Sequence, residues 1–598
     1  MPFSGLSDFI SLLEKSSELD RIRHFVDPQL EITEITDRVV KNGGKALLFE
    51  NNGTAFPVLM NAFGSDTRMT AALGRRNLDE PAGEIMSLFG QLTRPKNNLF
   101  DYLRSLPDLV RISGYLPSRK RGKGKCQQII HRDPDLSILP VLKCWPHDGG
   151  RFITLPMVHT KHPVTGSTNV GMYRMQILDR KTTAMHWQRH KTGANHFEAW
   201  KQKGEKMPVS VALGGDPVYT WASTAPLPEN IDEYILAGFL RKKKVSLVKC
   251  ITNDLWIPYD ADIVIEGYVD PSEEMVWEGP FGDHTGFYSL ADWYPKFHVT
   301  CITHSRKAVY PATIVGIPPH EDAWLTKATE KIFLAPVKLT VQPEITDFHM
   351  PDAGVAHNLV IVKIDKSFPG QGKKVISSLF GAGQMMFTKY LVVVSGDIDI
   401  RDYSALLRHV LENTDFRTDL LFTSGPLDVL DHTSEINSMG GKLGIDGTIK
   451  LIEELQAGKG AAISGVDRPA DFTVVKKTKS GITENDLKIN ARIILGVDNA
   501  VDTEDLFMVA WQILGNSDPG RDIRFISDHT IHIDGTIKAF RDGGFPRKWP
   551  NVVCSSDETI RKTDQIWEYL GIGALLSSPS AKYSKLSCQG NDEVLVKS

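Results

Sequence analysis

The 598-residue chain is poor in the features that mark specialised protein classes. Its six cysteines (Cys126, Cys144, Cys250, Cys301, Cys554 and Cys588) form no C-x-x-C pair and no dense framework. That argues against a thiolate zinc site or a disulfide scaffold and fits a reducing compartment. Neither charge sign dominates: the net charge is -4, so nothing draws the chain as a whole toward nucleic acid. The short basic runs at Arg119 to Lys125 and Arg241 to Lys244 read as solvated loops or helix ends, with a phosphate or lipid-headgroup role as the alternative. Long apolar runs are missing too. Tyr390 to Val394 is strand-sized, and the first ten residues lack a basic stretch followed by an apolar core, so a cytoplasmic protein with at most peripheral membrane contact is expected. No G-x-G-x-x-G follows a predicted strand, which counts against a nicotinamide-dependent oxidoreductase.

What is present is an ordinary globular composition, 41% hydrophobic, long enough for three or four units at about 150 residues each. Helical spacing at Leu6 to Leu13 and Glu31 to Val39, with a short buried strand at Ala46 to Phe49, predicts an α/β unit over residues 1–115. From 116 to 320 the pattern turns to short strands (Asn169 to Leu178, Pro208 to Leu213, Phe297 to Ile302), with one helix near Asp232 to Arg241. Beyond 321, the apolar strands Leu359 to Ile364, Tyr390 to Val394 and Arg492 to Leu495 are each followed by a helix-like stretch, the pattern of an open doubly wound α/β domain. We divide this part into a domain at 321–452, an extension at 453–576 and a polar tail at 577–598 expected to be mobile. The extension echoes what precedes it. Gly444-Ile-Asp-Gly-Thr-Ile-Lys450 returns as His532-Ile-Asp-Gly-Thr-Ile-Lys538, and Asn413-Thr-Asp-Phe-Arg-Thr-Asp419 loosely as Asn516-Ser-Asp-Pro-Gly-Arg-Asp522. Successive α/β units can look alike by chance; two matches in the same order favour a partial duplication.

The segment Glu278-Gly-Pro-Phe-Gly-Asp-His-Thr-Gly286 sets two carboxylates on a glycine-rich loop well after Arg174. Two acids flanking a permanent cation can keep one acid ionised and the other near neutrality, which proton transfer at pH 7 requires. The alternative is a tight turn with surface acids. Asn169 and Arg174 lie on one predicted strand at an odd separation, so they face opposite ways unless a turn or bulge intervenes. His186-Trp-Gln-Arg-His-Lys-Thr-Gly193 is a run of hydrogen-bonding and cationic side chains suited to an anion, and Asp232-Glu233 open a helix. Amide oxygen, imidazole and carboxylate together favour Mn²⁺ or Mg²⁺ over thiolate-bound zinc. By residue type alone a lone histidine here is more often a core or hydrogen-bonding residue than a metal ligand.

From about Asp8 through Lys450 the chain resembles the UbiD family of reversible decarboxylases, which use prenylated FMN. The resemblance is carried by Val26-Asp-Pro-Gln-Leu-Glu-Ile-Thr-Glu-Ile35, Ala46-Leu-Leu-Phe-Glu-Asn51, Asn169-Val-Gly-Met-Tyr-Arg174, Pro208-Val-Ser-Val-Ala-Leu-Gly214, Glu266-Gly267, the 278–286 segment and Gly441-Lys-Leu-Gly-Ile-Asp446. It implies a mixed α/β protein with an N-terminal α/β unit, a central split β-barrel that binds the flavin and a C-terminal doubly wound oligomerisation domain. It implies further that Asn169, His190 and Glu233 hold Mn²⁺ (or Mg²⁺), which grips the cofactor phosphate, with a potassium-type ion nearby. Met172, Tyr173, Arg174, His186, Trp187, Gln188, Lys191 and Thr192 would line the flavin, and Lys389 would stand on its phosphate side.

The family's catalytic network falls on Arg174, Glu278 and Asp283, the last being Asp, as in the aromatic-acid branch. Arg174 would orient a substrate carboxylate, Glu278 would hold Arg174, and Asp283 would deliver the proton that replaces CO₂, its pKa raised by burial. The implied substrate is an aromatic acid, a 4-hydroxy-3-polyprenylbenzoate or a naphthoate of quinone biosynthesis. A small phenolic acid and a non-catalytic flavin-binding subunit are the alternatives. A prenyl-FMN synthase would supply the cofactor. Past Lys450 the chain departs from the family pattern, which puts the usual homo-oligomer in doubt.

Overall fold

A computed structural model describes residues 2–93, 113–227, 231–456, 470–477, 482–540 and 544–595. Parts of the expected N-terminal unit (94–112), extension (457–469, 478–481, 541–543) and tail (596–598) lie outside the described residues. The chain forms two compact units: Met1–Leu325 with Val553–Ser584, and Thr326–Val552 with Lys585–Ser598. No described helix is long and apolar enough to cross a membrane.

In the first unit, helix Leu6–Lys15 buries Leu6, Phe9, Ile10 and Leu13, one stripe at helical spacing. Strands Leu19–Ile22, Ala46–Phe49 and Val58–Met60 form a sheet completed by Tyr310–Pro311, which pairs with Val58 and Leu59. A late segment of the expected central domain therefore closes the N-terminal sheet.

The central sheet has nine strands. Its order runs Phe152–Ile153, Met175–Ile177, Thr182–Met185, Lys296–His304, Ile263–Val269, Met207–Leu213, Met157–Lys161 and Thr168–Met172, with Ile129–His131 also on Lys296–His304. Thr168–Met172 ends the sheet on one side and Met175–Ile177 is next to last on the other, yet only Tyr173 and Arg174 join them. Two linking residues span at most about 11 Å, so the sheet must curl until its ends approach: the expected split barrel. This also corrects the single strand expected from Asn169 to Leu178. The chain breaks at Tyr173-Arg174, which releases Arg174 from the strict alternation that would have turned it away from Asn169's side. The sheet bends at Gly267, where the register shifts and a Cβ would lie 1.9 Å from the His298 carbonyl oxygen.

In the second unit the strand order is Ile345–His349, Leu359–Ile364, Tyr390–Ser395, Met439–Gly447, Leu420–Pro426, the middle three parallel. Val360, Val362, Leu391 and Val393 pack with Val375 and Ile376 of helix Gln371–Leu379, whereas Ile361 and Val394 pack with Leu406 and Val410 of helix Tyr403–Asn413. Alternate strand residues thus meet helices on both faces, as a doubly wound sheet requires. The segment that carries the echo repeats this strand arrangement. Ala470–Lys476, Ala491–Val497 and Thr530–Asp534 run parallel, and Ile523–Ser527 pairs antiparallel to the last. Asp446 accepts from Thr448 Oγ1 at 2.6 Å and Asp534 from Thr536 Oγ1 at 2.7 Å; Lys450 Nζ meets Asp419 Oδ2 at 3.0 Å and Lys538 Nζ meets Asp522 Oδ2 at 3.7 Å.

The end of the chain departs from the expected division. Instead of an extension to 576 and a mobile tail, Val553–Ser584 returns to the first unit. Trp567 and Leu570 of helix Asp557–Leu570 join the core of Ile32, Ile35 and Val39, and fully buried Arg38 binds Asp564 Oδ1 at 2.6 Å and the Leu576 carbonyl at 2.9 Å. Tyr583 is buried in the first unit; Leu586 and Val594 are buried in the second. Periodicity registers that a segment has an apolar face but not which distant core receives it.

Candidate active site

The break at Tyr173-Arg174 puts Arg174 opposite a pair of short hairpins. Val276–Glu278 pairs with Asp292–Tyr294, and Phe281–Gly282 with Tyr288–Ser289, so Glu278, Asp283, Ser289 and Tyr294 arrive together. Arg174 donates from Nε to Glu278 Oε1 at 2.8 Å, from Nη2 to Glu278 Oε2 at 3.2 Å and Ser289 Oγ at 3.1 Å, and from Nη1 to Asp283 Oδ2 at 2.5 Å. Its guanidinium lies 4.6 Å from the centre of the Phe281 ring, and its side chain is 8% exposed. His186 joins through Nδ1, 3.1 Å from Glu278 Oε2, and its ring packs 4.3 Å from that of Tyr294.

Burial tends to raise both acids, but charges and hydrogen bonds win. Against burial, Arg174 and then His186 hold the Glu278 carboxyl down at about 2. Against burial, the His284 hydrogen bonds and the Arg174 charge hold Asp283 well below the ordinary carboxylate range. The raised pKa expected for Asp283 is therefore corrected for this arrangement, in which both acids are ionised. Burial, then the neighbouring Arg174, lower the His186 pKa. A neutral His186 facing an ionised carboxylate donates from Nδ1 and leaves Nε2 as an acceptor.

The loop is held by residues that sequence reasoning missed. Asp148 accepts from the Gly282 amide at 2.8 Å while binding the Cys144 and Trp145 amides, and Gln176 Oε1 accepts from the Gly279 amide at 2.7 Å. Burial pushes Asp148 up to about 7. The available signal was Gly149-Gly150: a Cβ on Gly149 would lie 2.0 Å from the Gly279 carbonyl oxygen, so the loop backbone approaches too closely for any other residue. From the returning segment, the Val553 amide donates to Gly286 at 2.9 Å. Ser289 and Tyr294 carried no motif.

Other expected site residues fall into two groups. Met172 ends the edge strand and Tyr173 follows it, the Tyr173 hydroxyl accepts from the Gly193 amide at 3.3 Å, and Lys191 and Thr192 open helix Thr192–Lys203. Trp187 is buried and Gln188 half-buried. His186 Nε2 and Trp187 Nε1 are buried without a hydrogen-bond partner. Asn169 and Glu233 are also brought together, since Glu233 Oε2 accepts from the amide of Val170, next to Asn169, at 2.8 Å. Burial, opposed only by backbone amides, pushes Glu233 up to about 8. His190 stays on the exposed loop before the helix. Lys389 lies in the second unit, where its buried ammonium is bound to Asp431 Oδ2 at 2.7 Å. Its charge is therefore already matched, by a residue the sequence reading did not single out.

Three family descriptions match in chain order: the N-terminal, Rift-related and C-terminal domains of 3-octaprenyl-4-hydroxybenzoate carboxy-lyase, at residues 10–87, 118–318 and 323–447. Uncharacterised proteins of Archaeoglobus fulgidus and Helicobacter pylori are similar. The former is 46% identical over 457 residues (76% of this chain, 93% of the relative), the latter 38% over 595 residues (93% and 95%). Among solved structures, the UbiD-class enzyme HmfF from Pelotomaculum thermopropionicum in complex with FMN aligns with a TM-score of 0.63 at 25% identity, covering 77% of this chain and 98% of that one. The vanillic acid decarboxylase of Sedimentibacter hydroxybenzoicus in closed form shares the fold, with a TM-score of 0.69 at 23% identity over 78% of this chain and 97% of that one. With its three domain matches in order and a buried Arg-Glu-Asp network between a barrel edge and a glycine-rich hairpin, the chain belongs to the UbiD family and is a carboxy-lyase.

Proposed function

We propose that this enzyme removes CO₂ reversibly, without net oxidation, from an aromatic carboxylic acid, using prenylated FMN. The observation that carries the reading is the Arg174 guanidinium shared between Glu278 and Asp283. Glu278 fills two parallel positions of the guanidinium fork and anchors it, so the Nη1 side toward Asp283 is the position a substrate carboxylate would contest. Once Arg174 turns to the substrate, Asp283 loses a principal charge holding its pKa down, its pKa rises against the remaining His284 contacts, and uptake of a proton is favoured. Asp283 then protonates the carbon that CO₂ leaves, while Glu278 stays ionised and keeps Arg174 in place. Prenylated FMN supplies the electron sink that makes loss of CO₂ from an sp² carbon feasible.

This chain's residues fit such a group. The buried, unpartnered His186 Nε2 and Trp187 Nε1 offer an acceptor and a donor to a polar ring. Lys191 and Thr192 at a helix N-terminus suit the phosphate, while Met172, Tyr173 and Gln188 would line the flavin. Buried Glu233 beside Asn169, with no cation among the described residues to balance it, suits Mn²⁺ or Mg²⁺ completed by His190, with a potassium-type ion close by. HmfF, solved with FMN and, as an evolved dimeric form, with prenylated FMN, supports the cofactor assignment. For the substrate we favour a 4-hydroxy-3-polyprenylbenzoate or a naphthoate of quinone biosynthesis, on the family description; the solved vanillic and 3,4-dihydroxybenzoic acid decarboxylases keep a small phenolic acid as the second reading. Mass spectrometry of the flavin bound after co-expression with a prenyl-FMN synthase tests the proposal. Plain FMN, or no flavin, would overturn it.

A further inference from the structure

The two copies of the α/β module in the second unit meet through one face that each presents to the other. Register fixes the equivalences. Tyr390 lies opposite Leu443 in copy one as Ile493 lies opposite Ile531 in copy two, and Leu420 pairs with Ile445 as Ile523 pairs with Ile533. The intervening helices, Tyr403–Asn413 and Leu506–Asn516, are of equal length and are capped by Asp402 and Asp505, which makes Leu411 equivalent to Leu514.

Two apolar clusters sit between the copies. One joins Tyr390, Leu443, Ile445, Leu420 and Leu359 of copy one to Leu514 and Ile523 of copy two. Exchanging all but Leu359 for their equivalents gives Ile493, Ile531, Ile533 and Ile523 of copy two with Leu411 and Leu420 of copy one. All six belong to the other cluster, to which copy one adds Leu407 and Phe416. At the rim, Phe422 meets its own equivalent Phe525, ring centres 6.1 Å apart.

In a two-fold interface, if residue i of one copy contacts j of the other, then j contacts i in return. We propose that copy two docks on copy one as an intramolecular two-fold partner, so that the face by which this module recognises a second copy of itself is filled within the chain. Self-association of the whole protein then uses other surfaces. An appended domain packed without regard to the duplication would show no such exchange.

The test is the full-length Phe422→Cys/Phe525→Cys protein treated with a short bismaleimide, with the parent chain controlling for native cysteines. The expected product runs at monomer mass on denaturing gels and yields one peptide joining residues 422 and 525. A cross-linked dimer through those residues would show that the face pairs between chains, and absence of the link would show that the copies do not meet there; either overturns the proposal. Light scattering gives a second reading. Leu420→Asp and Ile523→Asp, equivalent positions present in both clusters, should each open the face and give a concentration-dependent rise in mass. A rise for only one of the pair, or for neither, would contradict the two-fold.

Discussion

Replacing Glu278 by glutamine removes one charge at nearly constant volume from the centre of the Arg174 network. Glu278 receives two Arg174 donors and His186 in a fully buried position. Burial would raise its pKa, yet Arg174 and His186 bring it from 4.5 to about 2. A shift of one pKa unit is about 1.36 kcal/mol, so the interaction stabilises the native state by about 3 kcal/mol at neutral pH. Because the folded value lies below the unfolded one, this stabilisation is complete above about pH 4.5 and is lost as the pH falls toward about 2. Urea unfolding followed by tryptophan fluorescence measures it. At pH 7 Glu278→Gln should be weaker than the parent by about 3 kcal/mol, near the lower end for breaking a buried pair because Asp283 still balances Arg174. Between about pH 5 and pH 3 the parent should lose stability more steeply than the variant. Equal stability at pH 7 with parallel acid profiles would refute the charge argument.

Asp283→Asn should cut turnover by about 10² to 10⁴ while flavin content, read from the absorption spectrum, stays near normal; activity within about tenfold of the parent would remove Asp283 from proton delivery. Glu233→Gln is expected to lower bound metal and flavin together, checked by elemental analysis beside the flavin spectrum, and full flavin without metal would show the clamp to be misassigned. Arg174→Lys should raise KM and lower kcat, since an ammonium cannot engage Glu278 and a second carboxylate through a rigid fork; unchanged steady-state constants would contradict that. A chain ending at Lys450 would lose Asp564 and the Leu576 carbonyl from fully buried Arg38 and the Val553 bond to Gly286, so we expect poor solubility and rapid proteolysis of the first unit. A stable, soluble truncated enzyme with normal activity would show that the returning segment is dispensable.

Motifs made much of this site legible before the fold was known. Glu278 and Asp283 share one loop, and their charges call for a cation, so Arg174 was a reasonable partner; the hydrogen bonds to both acids agree. The direction of the Asp283 shift was not legible, because it depends on how burial balances against His284 and Arg174, which only the folded geometry sets. Asp148, Gln176, Ser289 and Tyr294 were missed for a related reason: polar residues of common types, they matter only because folding sets them against the loop, Arg174 or His186. The strand expected from Asn169 to Leu178 failed at Arg174, since alternation alone does not report where a sheet must curl to close.

By itself the sequence determined most element types and the doubly wound pattern of the last third, and it displayed the echo, because periodicity and turn chemistry act over a few residues and a repeat is visible as letters. Only the tertiary structure decided which distant segments share a core. It returned Val553–Ser584 to the first unit, gave Lys389 to Asp431 and turned a repeated sequence into two faces that fill one another. Burial of apolar faces has no direction along the chain, so the partner of each face is settled when the whole chain packs.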